Sequence, residues 1–115
     1  MQYMLMICTP EAEEAAMDEA AKKAMYADYW KFTTEIRESG HYKTGSPLLP
    51  TSTATTVKVR EGKTIATDGP FAETREQIGG FYIVEAADLD EAISIAARIP
   101  GARMGSIEVR PLMKF

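Results

Sequence analysis

The chain is predicted to form an α+β domain of the ferredoxin-like kind: a split βαβ sandwich with an antiparallel sheet and an added β-hairpin. Three observations predict it. The order strand, helix, hairpin, loop, strand, helix, strand gives two successive strand–helix–strand units. The first and third strand segments are apolar on both faces, as central strands are, whereas residues 54–60 and 105–112 alternate, as edge strands do. Finally, 115 residues with 45% apolar and 26% charged content suit one globular domain with a modest core, so a single domain over 1–115 is expected.

Residues 2–8 form the first strand, with Tyr3, Leu5 and Ile7 on one face and Met4, Met6 and Cys8 on the other. Thr9 is placed to cap a helix that has Pro10 at its first position and Glu11 in its first turn. That helix runs in one or two pieces to Ser39 and stops at Gly40. Its apolar stripe is Met17, Ala21, Met25, Tyr29, Phe32 and Ile36, and the packed part begins near residue 20 because Glu14 and Asp18 intrude before it. Tyr26 and Trp30 lie off this stripe and read either as a partly exposed pair or as a subunit contact.

Residues 41–53 read as a loop with room for a short strand. Residues 54–60 then pair with 64–67 across the tight turn Glu61-Gly62-Lys63. A polar loop, 68–80, leads into the third strand, 81–85. Asp88 caps a second helix in a capping-box pattern with Glu91, and Leu89, Ala92, Ile93, Ala96 and Ile99 form its buried side. Pro100-Gly101 ends that helix, and residues 105–112 are the last strand.

Helices cover only one face of such a sheet, and the other keeps apolar residues that a lone subunit would leave wet. A homodimer with sheets face to face is therefore expected, and the space between them is the natural cleft for a small molecule. A net charge of −4 with scattered Lys and Arg argues against nucleic acid and against an anionic membrane surface. The single Cys8, no signal-like start and no long apolar run suggest a cytoplasmic protein. One His and one Cys do not make an ordinary zinc site, and no cofactor or metal is expected.

Candidate site residues cluster around the loop. Asp68 reads either as the start of an Asx turn before Gly69-Pro70 or as a carboxylate acid or base. His41 is the only side chain that titrates near neutrality unperturbed. It reads either as a helix-terminal residue bonded to free carbonyls or as a general acid or base facing Asp68. Phe71 is a core plug or a stacking platform, and Glu73, Arg75 and Glu76 bracket a polar substrate or form a solvated face. Tyr82 and Arg110 add a phenol and an anion anchor, and Cys8 reads as an inert buried thiol.

The run from Asp68 to Tyr82, DGPFAETREQIGGFY, resembles the signature of the DGPF family within the YCII-related superfamily. Tyr3-Met4-Leu5-Met6, Leu48-Leu49-Pro50 and Gly105–Pro111 extend the resemblance over the whole chain; Arg75 departs from the family's usual Lys. The resemblance implies a ferredoxin-like fold and a dimeric α+β barrel. Relatives it implies include a dehalogenase acting on a chlorinated lactone and small proteins proposed to use a His and an Asp, with the His near the first strand and helix. No His stands there in this chain, so that dyad is not carried over. DGPF proteins are also associated with extracytoplasmic-function sigma factors. Two functional readings follow. One is a small-molecule enzyme doing proton-transfer chemistry, isomerase- or lyase-like, in a dimer cleft with His41 and Asp68. The other is a non-catalytic regulatory or ligand-binding module with a sigma factor as partner.

Overall fold

A computed structural model describes residues 1–115. In chain order its elements are β1 (Gln2–Thr9), α1 (Glu11–Ala15), α2 (Glu19–Glu38), β2 (Tyr42–Pro47), β3 (Thr55–Arg60), β4 (Lys63–Asp68), β5 (Gln77–Glu85), α3 (Leu89–Ala97) and β6 (Ser106–Pro111). The main sheet is antiparallel with the order β2-β5-β1-β6. The helical segment α1–α2 carries the chain from β1 to β2 past β5, and α3 carries it from β5 to β6 past β1. This is the split βαβ arrangement predicted from element order.

The period-2 pattern of β1 decides where the core sits. Tyr3, Leu5, Ile7 and Thr9 are buried, and the first three join Tyr82 and Val84 of β5 against Phe32 and Ile36 of α2 and Ala92, Ile95 and Ala96 of α3. Met4, Met6 and Cys8 point the other way and are only half-buried. On that open face Met4 lies between Ile83 and Arg110, and Met6 lies between Phe81 and Glu108. The molecule measures 47 × 44 × 19 Å, thin enough that one sheet and one helix layer fill it.

The helix is in two pieces. Thr9 stays in β1 and is buried rather than capping, and Pro10 occupies the cap position of α1 with no side-chain cap bond. Asp18, expected to intrude on the stripe, is instead the N-cap of α2, accepting from the Ala21 amide at 2.8 Å. Gly40 follows the helix in the left-handed region at φ 81°, as the stop signal predicts. Trp30 is 76% exposed, so the Tyr26–Trp30 pair faces solvent in this chain. Asp88 caps α3 as predicted, accepting from the Glu91 amide at 2.9 Å, but the Glu91 carboxylate returns to the Ala87 amide and not to that of Asp88. Ile95 is buried where the spacing predicts Leu89 and Ile93, which are exposed.

The second strand needs the largest correction. The edge strand beside β5 is β2, which takes up the short strand allowed for in the loop at 41–53, and β3–β4, expected at that edge, is a separate ribbon. Gly45 and Pro47 disguise β2. A Cβ on Gly45 would lie 2.8 Å from both the Phe81 carbonyl oxygen and the Tyr82 ring, and proline is tolerated at an edge. Likewise β5 begins at Gln77, not 81, because Gly79 and Gly80 lie within the strand, at a bulge opposite Ile7 and Cys8.

Tyr29 closes the α2 side of the core, and its hydroxyl oxygen accepts from the Gly101 amide at 3.1 Å. Burial pushes its phenol from 10.0 up to about 12. A raised tyrosine favours the protonated fold, so its contribution is complete below pH 10 and is lost as pH rises towards 12. Urea midpoints should therefore hold up to about pH 10 and then fall, with a shallower fall in Tyr29→Phe. An equally steep fall in that variant would move the effect elsewhere.

Candidate functional site

The polar loop and the ends of β1 and β6 enclose an open hollow. Cys8, Glu13, Arg75, Glu76, Ser106 and Glu108 line it. β1 and β6 place Cys8 directly opposite Ser106, two residues from Glu108 on the same face. Gly105 lets β6 start this close: a Cβ there would collide with the Cys8 carbonyl oxygen and lie 2.9 Å from the Thr9 Cα. The loop is fastened from both sides. Gln77 accepts from the Glu11 amide at 2.9 Å and donates to the Thr74 carbonyl, while the Thr74 hydroxyl donates to the Glu76 carbonyl. Glu11 in turn accepts from the Thr51 amide and hydroxyl at 2.8 and 2.7 Å, tying the segment before β3 to the same corner.

Ser106 donates its hydroxyl to Glu76 Oε1 at 2.9 Å, which leaves the other carboxylate oxygen free. Burial, then the carboxylates of Glu108 and Glu76, push the Cys8 thiol up, so it is a protonated donor and no thiolate nucleophile. The hollow thus sets a held carboxylate, a hydroxyl and a neutral thiol beside a guanidinium, at the rim of the apolar sheet face of Met4, Met6, Phe81 and Ile83. No three His, Cys, Asp or Glu side chains come close enough to share a metal ion.

The sequence-predicted residues distribute differently. Arg75 and Glu73 are both exposed, and of the two only Arg75 lines the hollow. Asp68 is exposed at the end of β4, paired with Thr55, and Gly69 beyond it turns at φ 102°. Phe71 is 83% exposed and so is no core plug; its ring lies 6.0 Å from Lys58 Nζ. Tyr82 belongs to the core: it packs edge-on to Phe32 at 5.3 Å, and its hydroxyl is 2.7 Å from Thr33 Oγ1. Arg110 lies on the open face with Nε 3.3 Å from Glu108 Oε2.

His41 bridges the end of α2 and the start of α3. Its Nδ1 lies 2.6 Å from Ser39 Oγ and its Nε2 3.2 Å from Glu91 Oε1. Its carbonyl accepts from the Glu85 amide, at the far end of β5 from the loop, a span of roughly 26 Å of extended strand. Within one chain, therefore, His41 does not meet the Asp68 loop.

The YCII-related domain profile matches residues 1–115. The chain belongs to the YCII-related family. An uncharacterised protein of Rhizobium meliloti (strain 1021) is 36% identical over 117 residues, covering 100% of this chain and 94% of that protein. Among solved structures, the YCII-related chain is similar to a 5-chloro-2-hydroxyhydroquinone dehydrochlorinase from Burkholderia phenoliruptrix AC1100 in complex with 2,5-dihydroxybenzoquinone. The TM-score is 0.57 and the identity 15%, over 98% of this chain and 94% of that one. That likeness establishes the ferredoxin-like α+β fold.

Local sequence does not mark Cys8, Ser106 and Glu108 as site residues. The signal is present in part: strand alternation alone puts Ser106, Glu108 and Arg110 on one face of β6 and Met4, Met6 and Cys8 on one face of β1. Only the pairing register shows that these are the same face.

Proposed function

We propose that this YCII-related domain is a small-molecule enzyme of the proton-transfer class, an elimination or isomerisation catalyst acting on a flat, oxygenated ring. The observation that carries the reading is the Glu76 carboxylate, held by Ser106 at 2.9 Å on the rim of an uncovered apolar sheet face. Glu76 takes the proton of a ring hydroxyl, and the O–H electron pair becomes part of a ring carbonyl. The displaced π pair then either expels halide from an sp3 ring carbon of the keto tautomer, with the proton passing from Glu76 to solvent, or takes a proton at a ring carbon to complete an isomerisation. Arg75 receives the halide or the enolate oxygen. The apolar face of Met4, Met6, Phe81 and Ile83 supplies the wall for the ring, and a facing second copy would exclude water from it. The fold likeness to a dehydrochlorinase in complex with 2,5-dihydroxybenzoquinone supports this substrate class. The signature at 68–82 supports placement in the DGPF branch.

The test is a spectrophotometric screen of halogenated and unhalogenated hydroxyhydroquinones, followed by Glu76→Gln and His41→Ala in parallel. Glu76→Gln should lower kcat by about 100-fold or more with little change in KM. His41→Ala should leave kcat within about threefold. A fully active Glu76→Gln enzyme, or a His41→Ala enzyme as impaired as expected for Glu76→Gln, would sink the assignment.

A further inference from the structure

The β3–β4 ribbon has no partner strand within its own chain. Its strands pair only with each other, from Thr55↔Asp68 to Arg60↔Lys63, and every residue of β4 is exposed. A free two-stranded hairpin is marginally stable in water. The pairing sorts its side chains onto two faces. Thr55, Val57 and Val59 share one with Asp68, Ala66 and Thr64; Thr56, Lys58 and Arg60 share the other with Thr67, Ile65 and Lys63. One face is thus mostly apolar or hydroxylic, and the other carries all three cations of the ribbon. Such alternation suits a ribbon lying with one face down on a surface. This chain offers it none: Val57 is 60% and Val59 58% exposed, and the radius of gyration is 16.0 Å. A compact chain of this size would give about 13 Å.

Charge says what the surface is. Residues 55–68 hold three cations and two anions, a net +1, so with −4 for the chain the remainder carries −5. The three cations share one face of the ribbon, while Glu61 lies in the turn and Asp68 on the other face. Part of that negative charge lies at the hollow: Glu13, Glu76 and Glu108 line it, against Arg75 as the one cation in its lining, and Glu11 and Glu14 flank Glu13 in the first turn of α1. Each copy therefore carries both a basic arm and an acidic corner. Two copies satisfy both reciprocally under two-fold symmetry, with no third molecule required.

We propose that the β3–β4 ribbon is a clasp that reaches onto the acidic corner of a second copy of this chain. Val57 and Val59 face that copy, and Lys58, Arg60 and Lys63 extend over the ribbon's edges to its carboxylates. The partner's clasp then roofs the hollow and completes a site that one chain leaves open. The clasp stands independently of the chemistry proposed for the hollow.

Hydrogen exchange read by mass spectrometry at high and low protein concentration tests this, alongside sedimentation velocity. The β3–β4 amides should be protected at high concentration and lose protection on dilution, in step with the fall in sedimenting mass. Val57→Ser with Val59→Ser should weaken self-association roughly tenfold or more. Lys58→Glu with Arg60→Glu should do the same and remove most of the salt dependence. Both pairs lie outside the core, so exchange in β1 and β5 reports whether the body stays folded. Ribbon amides that exchange freely in a protein sedimenting as a dimer would overturn the clasp. So would variants that associate as tightly as the parent, or a parent that stays monomeric at high concentration.

Discussion

Replacing Gly105 with alanine should cost about 3 kcal/mol or more in urea unfolding, a large loss for a substitution that adds one methyl group. The new Cβ would collide with the Cys8 carbonyl oxygen and approach the Thr9 Cα to 2.9 Å, and both are backbone atoms of a central strand. Neither can turn aside as a flexible side chain does, so β6 must part from β1 where Cys8 faces Ser106. The hollow should open at the same time, and any ligand that binds the parent should bind the variant roughly tenfold more weakly or worse. Gly62→Ala is the contrasting case. Gly62 stands at φ 75° in the two-residue turn between β3 and β4, and a methyl group added there would meet nothing within 4 Å. Only turn strain of about 1 kcal/mol is expected from that substitution. Equal losses at the two positions would contradict the close approach.

Leu5→Ala should be costly for a different reason. Leu5 is fully buried, at the centre of β1, opposite Tyr82 on one side and Val109 on the other. The truncation leaves a cavity worth about 2–5 kcal/mol. Only 16 of 115 residues are buried, so the core has little to spare, and a domain of this size has about 5–15 kcal/mol in total. The variant should show a thermal midpoint more than about 10 °C below the parent. Met6→Ala, one residue on, separates the two faces. Met6 is half-buried on the open side, so its loss in a dilute monomer should be about 1 kcal/mol or less. A larger loss that appears only at high concentration would locate a facing copy on that side of the sheet.

Hydrophobic pattern is the reliable guide to layers. Apolar residues on both faces of 2–8 and 81–85 mark β1 and β5 as the central pair, and the spacing from Ala21 to Ile36 marks the helix that covers them, while Met17, first in the predicted stripe, falls in the break between α1 and α2. The pattern fails at β2 because Gly45 and Pro47 read locally as breakers, although one sits against the Tyr82 ring and the other at a sheet edge. It also misplaces β3, since alternation reports that one face of a strand is apolar and not which surface, or whose, that face meets.

The candidate site divides along the same line. The sequence by itself determined the family, through the motifs that run along the whole chain, and the two-layer fold and the stop at Gly40, which rest on local spacing and local backbone chemistry. Only the tertiary structure decided which residues share a site. It brought Glu76 to Ser106 and Cys8, sent Tyr82 into the core, and set His41 against Glu91 at the other end of the sheet. Strand register made that choice: in a sheet a shift of one residue sends a side chain to the opposite face. No stretch of sequence read alone contains the register between residues that stand 98 positions apart, as Cys8 and Ser106 do.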